Sequence, residues 1–361
     1  MVIFIASHLK KYDGQSKAII NFSKGLLELG EDVKIITYYI SNDIKEELTK
    51  ELGINIDYKK IGNENLKDLM TEFLLEKISK YLAKKVAKED TAIVANDLVV
   101  STIKHVKMNS QIIYWSQGAI ASLFIWPPIY SKVKTLGKIG AMIIPYINLK
   151  FSKSVKMYPL VLANSKTTGN IISLFYDRSP TDIIYPPINI EKYKPKLKIN
   201  EKEKYILVFL KRGYPTSVEV IKKLAREIKL IVIGYNIEGA KVYSNVSDEE
   251  LNDLYSNALA LVYPTTFENF GYIPVESMAC GTPVIAYRFA GGPSETIING
   301  QTGWLVNDEK ELYQKTVEIF KNSYEYSVRE KARKQAEMFS IKNMSNRLLN
   351  IIRYKNEYFI K

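Results

Sequence analysis

The sequence predicts an α/β chain of two doubly wound domains, each a parallel sheet with helices on both faces. Three observations predict it. Short, nearly continuous apolar runs alternate with longer amphipathic ones, and this alternation stops and then restarts past the middle of the chain. The 361 residues, 46% of them hydrophobic, suffice for two cores, where a single core would be unusually large. An apolar run without polar alternation is what a strand buried on both faces requires, and repeated βα units imply a parallel sheet covered by helices.

In the first half, residues 2–7 form an apolar run, followed by the turn-forming pair Asp13-Gly14 and an amphipathic run over 15–29. Residues 33–39, 54–58, 91–95 and 111–114 supply further buried strands, and 43–52, 65–87 and 98–107 the helices between them. Residues 119–158 break the rhythm by mixing apolar, aromatic and basic side chains around Trp126, Pro127 and Pro128. Two readings stay open there: amphipathic helices lying on the sheet, or an excursion that touches a membrane surface or an acceptor. Strand character returns at 161–165 and 183–185, and Pro186-Pro187 closes the half. The charged stretch 191–203, with Pro195, reads as the interdomain linker.

The second half restarts the pattern. Residues 205–210, 230–234, 259–263 and 283–287 read as strands, and 215–227 as a helix. Residues 248–258 form another helix, with Ser247 as N-cap and Glu250 three residues on, a capping box. Residues 310–320, 327–338 and 344–358 are terminal helices. These boundaries give domains over 1–190 and 204–342, with 343–361 as a last helix.

A formal charge of +12 favours anionic partners such as nucleotide phosphates or an acidic membrane surface, against the plainer reading that the lysines are solvated helix faces. No nucleic-acid-binding module accompanies the charge. The one cysteine, Cys280, excludes an internal disulfide and suits a reducing compartment; in its ACGTP context it reads as a small buried residue. The apolar start has no basic region before it and no cleavage-like site, and no run reaches the length of a spanning helix. The expected location is therefore cytoplasmic, with peripheral contact at an anionic membrane as the second possibility.

Residues 264–306, PTTFENFGYIPVESMACGTPVIAYRFAGGPSETIINGQTGWLV, carry the chemistry. A helix starting near Tyr272 puts Glu268 just before its N-terminus and Glu276 about one turn in, so both carboxylates can serve one site. Pro274 fits the first turn, where its missing N–H costs nothing. Ahead of that turn, the amides of Phe270, Gly271 and Tyr272 would face an approaching anion, with the helix dipole adding a modest favourable contribution. Ser294 and Glu295 are expected to cap the helix that follows.

Other motifs narrow the field. Neither half has GxGxxG after its first strand, and GYNIEGAK at 234–241 imitates a phosphate-binding loop but places Ala240 where the lysine belongs. There is no DxD, which argues against metal-clamped nucleotide-sugar chemistry. His8 and His105, the only histidines, exclude a multi-histidine metal site.

SDEELNDLYSNALALVYPTTFENFGYIPVESMACGTPVIA followed by GGPSETIINGQTGWLV resembles the donor-binding domain of the retaining GT-B glycosyltransferases of glycosyltransferase family 4. LANSKTTGN, IIYPPINIEKYKP, ANDLVVSTIKHVKMNSQIIYWSQG and YDGQSKAIINFSKGLLELGEDVKIIT extend the resemblance, more loosely, over the first half. It implies two Rossmann-like domains facing across a cleft, with the C-terminal helix crossing back to the N-terminal domain. It also implies transfer of a hexose from a nucleoside-diphosphate sugar to a glycan or lipid acceptor, with no cofactor beyond that co-substrate and no metal.

By the same resemblance, Glu268 holds the transferred sugar's hydroxyls, while Asn269, Phe270 and Gly271 offer backbone N–H groups to sugar and phosphate. Glu276 accepts the ribose hydroxyls; Arg212, with Lys211, stabilises the departing diphosphate. Gly14 lets backbone approach phosphate or acceptor, Asn245 and Val246 lie near the base, and Asp97 and Gln15 lie on the acceptor side. Two departures stand out. Val218 occupies the place of the family's second diphosphate-binding lysine, with Lys222 and Lys223 the nearest substitutes, and Gln117 replaces a histidine near the reacting carbon. Glutamine can hydrogen-bond a sugar but cannot carry a proton. The alternatives are a nucleotide-sugar epimerase on the same fold and a catalytically degenerate sugar-nucleotide binder.

Overall fold

The computed structural model describes residues 1–10, 14–61, 72–86, 91–106, 111–118, 148–196, 204–210, 216–244 and 246–354. The chain divides into two compact units, Met1–Pro187 with Ile341–Lys361, and Ile188–Ser340.

The first unit holds a seven-stranded sheet of β1 (Val2–Leu9), β2 (Val33–Ile40), β3 (Asn55–Ile61), β4 (Thr91–Val94), β5 (Gln111–Ser116), β6 (Leu160–Ala163) and β7 (Asp182–Ile183). Their order is β3-β2-β1-β4-β5-β6-β7, every neighbouring pair parallel. All eight residues of β1 are buried, as the apolar run over residues 2–6 demands of a central strand, with the polar Ser7 and His8 bonded to each other. The edge strand β3 leaves Lys59, Lys60 and Ile61 exposed, and edge lysines discourage pairing with a further strand. Helix α1 (Gly14–Glu28) turns Ile19, Phe22 and Leu26 into the core, and Phe22 meets Trp115 of β5 edge to face at 5.0 Å. Residues 43–52, expected as one helix, form α2 (Asn42–Glu46) and then a π turn over Glu47–Glu51. Of the expected 65–87 helix, α3 (Glu72–Ala83) is described and 65–71 lie outside the described residues. Residues 97–104 wind as a 3-10 helix whose cap is Asn96, its side chain accepting from Leu98 N at 2.7 Å.

Most of the 119–158 segment, with Trp126, Pro127 and Pro128, lies outside the described residues. Its end packs on the sheet: Phe151, Val155 and Tyr158 are buried, and the Tyr158 hydroxyl donates to Val100 O at 2.7 Å. A helix that the sequence analysis did not identify, α4 (Lys166–Tyr176), follows β6. Its N-cap Ser165, expected as the end of a strand, accepts from Thr168 N at 3.0 Å.

The second unit holds β8 (Ile206–Phe209), β9 (Leu230–Ile233), β10 (Lys241–Tyr243), β11 (Ala260–Tyr263), β12 (Val284–Tyr287) and β13 (Gly303–Val306) in the order β10-β9-β8-β11-β12-β13. All its neighbouring pairs are parallel too. The helices are α5 (Val218–Leu224), α6 (Asp248–Asn257), α7 (Tyr272–Ala279), α8 (Gly292–Thr296), α9 (Glu309–Asn322) and α10 (Ser327–Glu337). The capping box on α6 is formed: Ser247 accepts from Glu250 N, and Glu250 receives Ser247 N. The stretch 234–241 joins two strands instead of opening a helix, so it makes no phosphate-binding loop.

The stretch 191–203 is corrected in part. Residues 191–196 belong to the second unit, where Tyr193 is buried, while 197–203 lie outside the described residues. The terminal helix α11 (Ile341–Tyr354) belongs to the first unit and packs on α1, with Arg347 bonded to Asp182 at 2.9 Å and Arg353 to Glu31 at 2.5 Å. None of the described helices is long and apolar enough to cross a membrane.

In each sheet the strand order reverses direction at one place, between β1 and β4 in the first unit and between β8 and β11 in the second. Crossovers leave such a point in opposite directions, which opens a crevice at the carboxyl ends of the strands, where ligands of this architecture sit.

Candidate functional site

In the second unit the loop that leaves β11 carries Glu268. Several bonds fix it. Glu268 N donates to Ala290 O at 2.8 Å, and Gly292 N donates to Glu268 O at 2.9 Å, pairing the loop with the segment before α8. The Tyr263 hydroxyl, at the end of β11, donates to Glu268 Oε2 at 2.9 Å. The carboxylate is thus oriented from below while staying only half-buried. Gly292 allows the approach, since a Cβ there would overlap the Phe270 carbonyl oxygen.

Helix α7 then begins at Tyr272, where the spacing predicts it, and Gly271 is its N-cap at φ +87°. Phe270 is buried against Phe339 and Tyr272, which holds the turn in place. The Asn269 amide donates to Glu268 Oε1 at 3.1 Å, bracing the carboxylate. Glu276, 3% exposed, lies one turn into the helix beside the Tyr193 hydroxyl. Burial above all, and then the Glu276 carboxylate, push that hydroxyl's pKa far above its usual value.

Lys211, Arg212 and Asn245 lie outside the described residues. The described flanks of 211–215 are informative: Leu210 follows β8, and Thr216 bridges Thr265 in the Glu268 loop. Ser217 N also donates to Pro264 O at 3.0 Å. Leu210 and Thr216, the described residues on either side, thus lie at the β8/β11 reversal and beside the Glu268 loop. Lys222 and Lys223, the nearest substitutes for the missing lysine, have partners on the second unit. Lys222 pairs with Glu219 at 2.7 Å, and Lys223 lies 4.4 Å from the Tyr313 ring centre. Val246 sits immediately before the Ser247 cap. Ser294 and Glu295 lie inside α8 and do not cap the next helix; Ser294 Oγ donates to Gly291 O at 2.6 Å. Cys280 is buried, as expected, and burial chiefly pushes its thiol up to about 12.

In the first unit, Gly14 and Gln15 open α1, and Gln15 Oε1 accepts from Asn96 Nδ2 at 2.5 Å, joining the ends of β1 and β4. Gln117 follows β5, and its carbonyl accepts from Asn164 Nδ2 at 2.8 Å. Asp97, expected on the acceptor side, is buried, and its carboxylate receives the hydroxyls of Tyr114, Ser116 and Tyr176. Burial first, then this carboxylate, raises the Tyr114 hydroxyl's pKa well above its usual value. Among the described residues, no group of three or more His, Cys, Asp and Glu could hold a metal ion.

Sequence reasoning missed Tyr263, Gly291 and Gly292 as the groups that hold Glu268. The paired glycines before a proline were the available signal.

Residues 189–338 match the family model Glycosyl transferases group 1. An α-1,3/1,6-mannosyltransferase ALG2 of Dictyostelium discoideum is 31% identical over 157 residues, 42% of this chain and 37% of that protein. A probable sucrose-phosphate synthase of Thermosipho melanesiensis is 30% identical over 165 residues, 42% of this chain and 38% of that protein. The chain thus aligns with less than two-fifths of the length of these relatives. Among solved structures, sucrose-phosphate synthase from Thermosynechococcus elongatus superposes with a TM-score of 0.76 at 15% identity, covering 100% of this chain and 99% of that one. HepE of Anabaena in complex with UDP gives 0.71 at 15% identity, covering 97% and 99%. The chain has the GT-B fold of two Rossmann-like units, and within it residues 189–338 match the glycosyl transferases group 1.

Proposed function

We propose that the protein is a retaining glycosyltransferase that moves a hexose from a nucleoside-diphosphate sugar to a glycan or lipid-linked acceptor without a metal ion. The observation that carries this reading is the braced pair Glu268 and Glu276 around the start of α7, at the β8/β11 reversal. The match over residues 189–338 supports it, as do relatives named as mannosyltransferases and a fold neighbour solved with UDP-glucose.

In this reading Glu268 accepts hydroxyls of the transferred sugar, and Glu276 those of the ribose. The start of α7 faces the diphosphate, since the first turn of a helix has no intrahelical carbonyl for its amides. Arg212, with Lys211, neutralises the charge that grows on the leaving diphosphate, the task a metal performs where DxD is present. The anomeric carbon–oxygen bond to phosphate breaks as the acceptor oxygen bonds to that carbon on the same face. The leaving phosphate oxygen takes the acceptor's proton, so Gln117 need only hydrogen-bond the sugar. At the carboxyl edge of the first unit, Gly14 lets backbone approach the phosphate or the acceptor, Gln117 lies near the reacting carbon, and Gln15 serves the acceptor side.

Incubation with UDP- and GDP-hexoses and an acceptor panel tests the reading. Acceptor-dependent release of nucleoside diphosphate, with retention at the anomeric carbon, is expected. Epimerised sugar with no acceptor product would instead assign an epimerase, and inverted product would remove the retaining mechanism.

A further inference from the structure

The stretch expected as a linker is a strap built into the second unit. Ile188 N donates to Phe339 O at 2.7 Å, so the strap starts on the end of α10. Farther along, Lys194 N donates to Asn252 Oδ1 at 3.1 Å, Ser256 Oγ to Lys194 O at 3.1 Å, and Lys196 N to Ser256 Oγ at 3.0 Å, all on α6. Arg333 of α10 donates to both Tyr193 O and Ala279 O at 2.8 Å, stapling the strap to the end of α7. A cation there also meets the negative end of the helix dipole.

These bonds leave one side chain buried where the strap crosses α7. Tyr193 is 2% exposed, its ring edge-on to Tyr255 at 6.3 Å between centres, and its hydroxyl donates to the Glu276 carboxylate. A carboxylate accepting a fixed hydroxyl has its remaining lone pairs aimed in set directions. Glu276 is a buried acid on a short helix, and the strap, anchored on two other helices, supplies that fixed partner from outside α7.

We propose that Tyr193 is the positioning residue of the nucleotide site: it holds the Glu276 carboxylate toward a ribose diol and so sets the preference for ribonucleotides over deoxyribonucleotides. The proposal rests on the assignment of Glu276 to ribose made above. Without the hydroxyl, the carboxylate turns among rotamers, and the geometric match to two adjacent ribose hydroxyls is lost while the diphosphate contacts remain.

The test is calorimetric binding of UDP and GDP and of their 2′,3′-dideoxy analogues to the full chain, as wild type, Tyr193→Phe, Glu276→Gln and the double variant. Wild type is expected to prefer the ribonucleotide by about tenfold or more, one charge-assisted hydrogen bond's worth. Tyr193→Phe should reduce that ratio to within about threefold of unity, and the double variant should lose no more than Glu276→Gln alone. Ser256→Ala, which removes two strap bonds but keeps the hydroxyl, separates positioning from stability: it should lower the melting temperature and leave the ratio in place. A wild-type ratio preserved in Tyr193→Phe overturns the inference alone, as does a ratio that collapses equally in Ser256→Ala. A wild type that binds nucleotide without ribose preference overturns the assignment of Glu276 and the inference with it.

Discussion

Glu268 and Glu276 are eight positions apart in sequence and meet different surroundings. Glu268 is half-buried and braced by the Tyr263 hydroxyl and its neighbour's amide, with surface left for a ligand; Glu276 is buried on α7. Replacing Glu268 by Gln removes the charge from its bonds to the sugar and should lower kcat/KM for the donor about 10- to 100-fold, measured by steady-state release of nucleoside diphosphate. Cys280 is a different case. With its thiol pushed up to about 12 by burial, it should resist thiol-specific reagents at pH 8 in the folded protein and react fully once the chain is unfolded in denaturant. The linked stability has a definite sign. The folded thiol keeps its proton where the unfolded one, with a pKa of about 8.5, loses it, so this contribution is complete below about pH 8.5 and is lost as pH rises toward about 12. In denaturant titrations between about pH 8.5 and 10, the stability of wild type relative to Cys280→Ala should fall by at most about 1.4 kcal/mol per pH unit, a difference that leaves out the raised tyrosines common to both proteins.

At the scale of elements, the site is a pairing of two loops through backbone, and its glycines are its weak points. Gly292→Ala sets a Cβ against the Phe270 carbonyl, and Gly271→Ala forces a non-glycine residue to φ +87° with Glu268 Cγ at 3.3 Å. Each should cost about 1 to 3 kcal/mol, the Gly292 variant more, because rigid backbone cannot yield as a flexible side chain can; equilibrium denaturation checks the order. Ser247→Ala removes the cap of α6 and should cost about 1 kcal/mol by the same measurement. The α6 cap, the start of α7 and the apolar runs of β1, β8 and β11 were legible in the sequence because each is encoded locally. What escaped was encoded at long range. Asp97 receives the hydroxyl of Tyr176, 79 positions away, a partner its neighbours in sequence do not announce. The strap looked like a linker because charge and Pro195 mark its surface, while Tyr193 is buried by helices that come some 60 to 140 residues later. β10 is three residues long, too short for an alternation to register.

For the whole molecule, both sheets have the parallel, doubly wound order expected of the sequence, and the candidate donor residues lie in the second unit, except Gly14, which lies with the candidate acceptor residues in the first. A nucleotide that binds only the folded second unit should stabilise that unit by about 2.7 kcal/mol at a hundredfold excess over Kd. Hydrogen exchange should then slow over β8, β11 and α7 before it slows over β2 and β3, which lie at the far side of the first sheet. The central claim is that the carboxyl edge of the second unit binds a nucleotide sugar through Glu268 and Glu276. Calorimetric titration of wild type and Glu276→Gln with UDP- and GDP-hexoses tests it most directly. Saturable binding of one donor, weakened about tenfold or more in the variant, is the predicted result; no binding of any donor, or equal affinity in both proteins, would contradict it.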